Sequence, residues 1–169
     1  MDQAAILGLS INTRMLGLAV VMGSLLVDYH IQLRKDSWSP RKRELILTSL
    51  QPWCESYNIK RIALSISYAK QTSRQTKELL EAIKGHFSKK EIGICTYPPQ
   101  TIYSFCQEGQ KKTKKTAMRN IADLYPELSY QFQKEMTNKN KYYVKLFEAV
   151  GVATIHSREL KERRRGTEL

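Results

Sequence analysis

The amino-acid sequence predicts one α/β domain, built on a mixed five-stranded sheet with helices on both faces. Three short apolar runs joined by turns open the chain, strand-like and helical patterns then alternate, and only helical patterns follow. The length of 169 residues is enough for one well-buried core, and 41% hydrophobic with 26% charged residues is typical of a folded domain. These observations favour one globular domain over residues 1–157, followed by a basic tail over residues 158–169.

The first three predicted strands form an antiparallel meander. Residues 5–10 and 16–21 are continuous apolar runs, which are typical of strands buried on both faces of a sheet. Residues 25–33 instead alternate between apolar and polar side chains, as half-exposed strands do. The apolar face of this third strand is predicted to contain Val27, Tyr29 and Ile31.

Helices and strands alternate in the middle of the chain. Ser39 and Pro40 form a typical helix start, with the hydroxyl as N-cap and the proline at the first helical position. The strand predicted after this helix covers residues 61–67, and a second helix and a fifth strand at residues 92–97 follow it. The remaining chain is predicted to be helical, with its longest helix from about residue 138 to residue 159. The apolar face of the second helix is predicted to contain Leu79, Leu80, Ile83 and Phe87.

The chain is strongly basic, which indicates a polyanionic partner. Lysine and arginine number 28 against 16 aspartate and glutamate residues, so the formal net charge is +12. A charge of this size raises the local concentration of nucleic acid around a domain. Each basic cluster taken alone is also typical of a solvated helix face or loop. Three clusters are the candidate contacts: Lys111, Lys112, Lys114, Lys115 and Arg119; Lys139, Lys141 and Tyr142; and Arg41, Lys42 and Arg43.

The residue pattern excludes several other classes of site. The three cysteines have no C-x-x-C spacing and no histidine nearby, so neither a zinc site nor a disulfide framework is expected. Residues 15–27 are apolar, but this run is shorter than the roughly 20 residues that a membrane-spanning helix needs. No Gly-rich phosphate loop is found in the sequence. We therefore expect a cytoplasmic protein with buried thiols, no cofactor and no membrane partner.

Three segments of the chain share a pattern with one known family. They are Ile6-Leu-Gly-Leu-Ser-Ile-Asn-Thr-Arg-Met-Leu-Gly-Leu-Ala-Val20, residues 61–67, and Lys145-Leu-Phe-Glu-Ala-Val-Gly-Val-Ala153. In this order they resemble the opening strands, a later strand and the last helix of the RuvC and YqgF branch of the ribonuclease-H-like superfamily. That branch includes the RuvC-type Holliday junction resolvases. The resemblance extends from residue 5 to about residue 157, and it implies a ribonuclease-H-like fold for that part of the chain.

The resemblance places most of the family's catalytic acids at residues that are neutral here. The first aspartate of the family corresponds to Ser10, the glutamate of the later strand corresponds to Ser65, and only the last acid is kept, as Glu148. The Pro-Gly turn after the first acid corresponds to Ile11-Asn12. Two-metal cleavage of a phosphodiester needs several carboxylates around hard cations. Loss of the cleavage activity is therefore expected, and no bound metal is expected either.

These observations lead to a non-catalytic nucleic-acid-binding protein as the first hypothesis, with DNA favoured over RNA by the resemblance to resolvases. The alternative is a protein-interaction scaffold, for which the resemblance implies a homodimer. A third hypothesis is a structure-selective endonuclease whose site is rearranged around Glu148 and Asp28. If the resemblance holds, Ser10 and Ser65 lie on neighbouring central strands, and Glu148 lies on a helix packed over them.

Overall fold

A computed structural model describes residues 3–66, 73–138 and 141–168 of the chain. Its strands are β1 (Ala5–Ile11), β2 (Met15–Met22), β3 (Leu25–Leu33), β4 (Arg61–Ser65) and β5 (Gly93–Tyr97). They form one five-stranded sheet in the order β3-β2-β1-β4-β5. β1 to β3 pair antiparallel, whereas β1 pairs parallel with β4 and β4 pairs parallel with β5. The predicted mixed sheet and its N-terminal meander are confirmed. Ser67, the last residue of the predicted fourth strand, lies outside the described residues.

Helices cover both faces of this sheet, as predicted. The helices are α1 (Pro40–Ser56), α2 (Arg74–Ser88), α3 (Lys114–Leu124), α4 (Ser129–Thr137) and α5 (Val144–Thr167), with 3-10 segments at Pro99–Phe105 and Pro126–Leu128. α1 and α2 pack on one face, against Leu7 and Leu9 of β1. α5 packs on the other face, and α3 packs against α5. The hydroxyl of Ser39 accepts a hydrogen bond from the Lys42 backbone N–H at 3.0 Å, so the predicted cap of α1 is confirmed.

Two glycines allow α5 to lie directly against the central strands. A Cβ atom on Gly8 would overlap the backbone carbonyl oxygen of Ala149, and one on Gly17 would overlap that of Lys145. Because both carbonyls belong to the helix backbone, a larger side chain at either glycine would push the helix off the sheet. The two glycines therefore set the distance between α5 and the strand ends that it covers.

A β-bulge changes one predicted face of β3. Val20 pairs with Asp28 but Val21 pairs with Leu26, so Val27 is the extra residue of the bulge. Val27 is 42% exposed, and Leu26 takes its place beside Tyr29 and Ile31 on the face toward α5. The prediction that Val27 shares this apolar face is wrong, because the inserted residue shifts the alternation by one position.

The last helix begins later and ends later than predicted. Asn138 has an extended backbone at the end of α4, and the helix α5 then continues from Val144 to Thr167 instead of ending near Glu159. The tail predicted from residue 158 is helical as far as Thr167, because its glutamate, lysine and arginine residues are good helix formers and no proline interrupts them. The Tyr97 hydroxyl group donates a hydrogen bond to Glu159 (2.7 Å) and shares a second one with Nδ1 of His156 (2.8 Å), and these bonds hold α5 at the point where it leaves the sheet.

The apolar run at residues 15–27 forms β2 and the start of β3. Within the described ranges, no helix combines the length and the apolar character that crossing a membrane requires.

The three cysteines are free thiols. Cys54 is buried as expected, and burial raises the pKa of its thiol to about 11. Cys95 and Cys106 are only half-buried, so the expectation of buried thiols is correct for Cys54 alone.

Candidate nucleic-acid interface

Ser10 and Ser65 lie side by side at the carboxyl ends of the two central parallel strands. The register of β1 and β4 pairs Ser10 directly with Ser65. Both side chains are on the face that α5 covers, because Gly8 and Ala63, two residues earlier on each strand, contact that helix. The predicted adjacency of the two serines is confirmed. Ser10 is 1% exposed, and its Oγ has no hydrogen-bond partner among the described residues.

Glu148 projects from α5 over these strand ends and is buried. Its Oε1 atom is 3.6 Å from the Nζ atom of Lys145, one helical turn earlier. Glu148, Lys145 and Ser65 line one cavity of about 400 Å³, which we call the serine cavity. The predicted placement of Glu148 over the serine strands is therefore confirmed. Sequence reasoning did not single out Lys145, although the spacing of three residues on one helix could have indicated the ion pair.

The other residues that line the serine cavity include several hydroxyl side chains and the basic side chain of Arg14. The Oδ1 atom of Asn12 accepts hydrogen bonds from the backbone N–H groups of Arg14 (2.9 Å) and Met15 (2.8 Å). These bonds hold the turn between β1 and β2, where the family that the chain resembles has Pro-Gly. This turn places Arg14 in the wall of the cavity. Arg14 and Lys145 outnumber Glu148, so the described lining has a net positive charge. The uncharged polar residues of the lining are Asn12, Thr13, Ser65, Ser73 and Thr76.

The residues of the serine cavity do not fit the pair of metal ions that the resemblance would imply. Two serine hydroxyls bring no charge to offset a divalent cation, and the single carboxylate is already paired with Lys145. Across the three described ranges, no group of three or more histidine, cysteine, aspartate or glutamate residues is placed to hold a metal ion. The described residues of this site therefore supply too little negative charge for a pair of divalent cations.

The rearranged catalytic site built from Asp28 and Glu148 is not formed. Asp28 accepts a hydrogen bond at 2.6 Å from the hydroxyl of Tyr57, the residue after α1, so its carboxylate faces the α1 side of the sheet. Glu148 lies on α5, on the opposite side. A site that combines Asp28 with Glu148 is therefore excluded, because the strand alternation that directs Asp28 to one face of the sheet keeps it from the other.

Two of the three predicted basic clusters meet beside the serine cavity. Lys114 and Lys115 at the start of α3 and Lys141 before α5 line a second cavity of about 360 Å³, which we call the lysine groove. Lys145 and Glu148 belong to both cavities, so the two are adjacent. The described residues that line the lysine groove are Lys114, Lys115, Met118, Met136, Lys141, Val144, Lys145 and Glu148.

Other members of these two clusters lie near the groove but not in its lining. Lys111 and Lys112 are exposed just before α3. The guanidinium of Arg119 lies 5.9 Å from the ring centre of Phe132. Tyr142 is half-buried and packs edge-on against Tyr143, with ring centres 4.7 Å apart. Lys139 lies outside the described residues.

The third basic cluster lies apart from this surface, and one of its three residues is buried. Arg41 and Arg43 lie on α1, on the face of the sheet opposite α5. Lys42 is 2% exposed, and its Nζ atom donates hydrogen bonds to the carbonyl oxygens of Arg34 (3.1 Å) and Asp36 (2.5 Å). The prediction that Lys42 contacts nucleic acid is wrong, because its ammonium group is buried and bound to the backbone. Its spacing of four residues from the buried Ile46 could have indicated an inward position.

Glu135 positions the lysine groove, and sequence reasoning missed it. This residue is fully buried, and its Oε2 atom accepts hydrogen bonds from the backbone N–H groups of Tyr142 (2.9 Å) and Tyr143 (2.8 Å). The carboxylate thereby satisfies donors just before the first turn of α5, where negative charge is stabilising. Glu135 lies in a polar stretch with no cap pattern, so no sequence signal marks it.

Solved structures of two resolvases are similar to this chain. RuvC of T. thermophilus in complex with Holliday junction substrate has a TM-score of 0.72 at 11% identity, covering 94% of this chain and 96% of that one. Another Thermus thermophilus RuvC structure has a TM-score of 0.65 at 12% identity, covering 90% and 92% of the two chains. The Fowlpox virus resolvase in complex with its substrate Holliday junction DNA has a TM-score of 0.58 at 12% identity, covering 92% and 98%.

The similarity is one of structure. No protein-family model and no curated protein sequence matches the chain. The strand order, the mixed pairing and the helix over the strand ends agree with the fold that the sequence predicts. This chain therefore has the ribonuclease-H-like fold in the form seen in RuvC-type resolvases.

Proposed function

We propose that this chain binds branched DNA without cutting it. The observation that supports this function is the set of residues where the resemblance places the catalytic acids: the buried Ser10, and Ser65 and a Lys145-paired Glu148 in the lining of the serine cavity. A site of this composition attracts phosphate but lacks the carboxylates that would hold hydrolytic metal ions. The complexes of RuvC and of the Fowlpox virus resolvase with Holliday junctions favour DNA as the nucleic acid and a junction as its form.

The lysine groove supplies the phosphate contacts in this proposal. Four lysines line it, and α3 and α5 both begin at its edge. The N-terminal end of a helix carries partial positive charge, so α3 adds to the attraction of the ammonium groups for phosphate, whereas the start of α5 already faces the carboxylate of Glu135. Arg14 extends the same basic surface into the serine cavity.

The proposal predicts a steep salt dependence of DNA binding. Four phosphate contacts release about four condensed cations, so raising salt from about 50 to about 200 mM should weaken binding by roughly 100-fold. Fluorescence polarisation with a labelled four-way junction measures this, with a duplex of the same sequence as the comparison. Absence of binding to both DNAs at about 50 mM salt would remove the proposal.

Restoring the acids provides a second prediction. The variant Ser10→Asp with Ser65→Glu should bind Mg²⁺ or Mn²⁺ weakly, because the two new carboxylates lie side by side beneath Glu148. It should also lose stability without the ion, because like carboxylates repel. Calorimetric titration measures the metal affinity. The control is Ser10→Asn with Ser65→Gln, which has nearly the same shape and no charge. Equal metal binding by the two variants would show that these strand ends do not form the position of a metal site.

A further inference from the structure

The lysine groove has an apolar floor that phosphate contacts alone do not explain. Met118 is 2% exposed, and Met136 and Val144 are half-buried beside it. These three side chains come from α3, α4 and α5, and the lysines stand around them. A surface that binds only a duplex backbone needs exposed cations, not a cavity lined by thioether and aliphatic side chains.

The shape of the groove is held by contacts within the protein. The hydroxyl of Thr113 accepts a hydrogen bond from the Thr116 backbone N–H at 3.1 Å and caps α3. Glu135 holds the segment before α5 in the same way. These contacts fix the positions of the apolar side chains and of the lysines around them relative to each other. The cavity therefore exists before any ligand binds.

The volume and chemistry of the groove match one nucleotide. About 360 Å³ lies at the lower end of the range for small-ligand pockets, and it is far too small for a duplex. Methionine sulfur atoms make favourable contacts with aromatic rings, and a nucleic-acid base is such a ring. The ammonium groups at the rim suit the phosphate of the same nucleotide.

We propose that the lysine groove holds one unpaired nucleotide of the bound DNA, with its base against Met118, Met136 and Val144 and its phosphate at the lysine rim. This inference rests on the proposed function, because it names the part of the DNA that the interface selects. Branched DNA contains unpaired or easily unpaired nucleotides, and taking one out of the stack costs least where pairing is already broken.

The test uses protein with ¹³C-labelled methionine methyl groups. The probes are a duplex with one unpaired adenine and the same duplex without it. A base in the groove should shift the methyl signals of Met118 and Met136 with the first probe only, while Met22 at the far end of β2 stays unchanged. We also expect about tenfold tighter binding of the duplex with the unpaired adenine.

A cavity-filling variant separates this inference from the proposed function. Val144→Phe fills the floor and keeps every lysine, so it should remove the preference for the unpaired adenine. Met136→Phe serves the same purpose if Val144→Phe fails to fold. The matched control is Leu124→Phe at an exposed position of α3 outside the groove. Binding of both probes with equal affinity and no shift at Met118 and Met136 would overturn the inference alone. Absence of binding to both probes and to the four-way junction would overturn the proposed function, and this inference with it.

Discussion

Replacing Lys114, Lys115 and Lys141 with alanine is expected to weaken junction binding by about 100-fold at about 50 mM salt. The three ammonium groups line one groove and lie where α3 and α5 begin. Removing three phosphate contacts should also reduce the slope of log affinity against log salt by about 2.7. Polarisation titrations of the parent and the variant at several salt concentrations measure both effects.

The matched control removes three lysine charges that lie outside the lysine groove. Lys60, Lys77 and Lys89 are exposed and do not line the groove. Their alanine triple variant should bind the junction within about threefold of the parent, because long-range attraction is screened beyond roughly 10 Å at moderate salt. Equal losses in the two triple variants would mean that the net charge of +12, rather than the groove, attracts DNA.

Substituting Gly8 by alanine is expected to destabilise the fold by about 3 kcal/mol, near the upper end for an overpacked core. The new methyl group would overlap the carbonyl oxygen of Ala149, and the α5 backbone cannot move locally without losing its contact with β1 and β2. Denaturant unfolding measures the change in the free energy of unfolding.

The matched control for Gly8 is a glycine with free space around it. Apart from the backbone of α2 itself and the two neighbouring residues, no described heavy atom lies within 4 Å of a Cβ placed on Gly85. Gly85→Ala should therefore stabilise the protein by about 0.5–1 kcal/mol through helix propensity alone. An unchanged unfolding midpoint for Gly8→Ala would contradict the close packing of α5 on the sheet.

Much of the sheet was predictable because its signals are local. Continuous apolar runs marked the buried strands, and Ser39-Pro40 marked the start of α1. The adjacency of Ser10 and Ser65 was predictable for a different reason. It follows from the order of elements in the family that the chain resembles, not from any pattern within the two strands.

The incorrect predictions for Val27 and Lys42, and the missed lysine groove, share a physical cause, which is that tertiary contacts decided the outcome. The bulge at Val27 needs the register between β2 and β3, and the burial of Lys42 needs two carbonyl oxygens from the preceding loop. The lysine groove needs three helices that are distant in sequence. The sequence indicated its lysines, but their meeting with Met118 and Glu148 depends on packing. The homodimer and the scaffold alternative stay predictions of the resemblance.

One experiment tests the central claim most directly: incubation of the protein with a labelled four-way junction, in Mg²⁺ and Mn²⁺ and separately in EDTA, followed by native and denaturing electrophoresis. We predict that the junction is bound in all conditions and remains uncut, because Ser10 and Ser65 leave Glu148 without partner carboxylates. Metal-dependent cutting that Glu148→Gln abolishes would contradict the account.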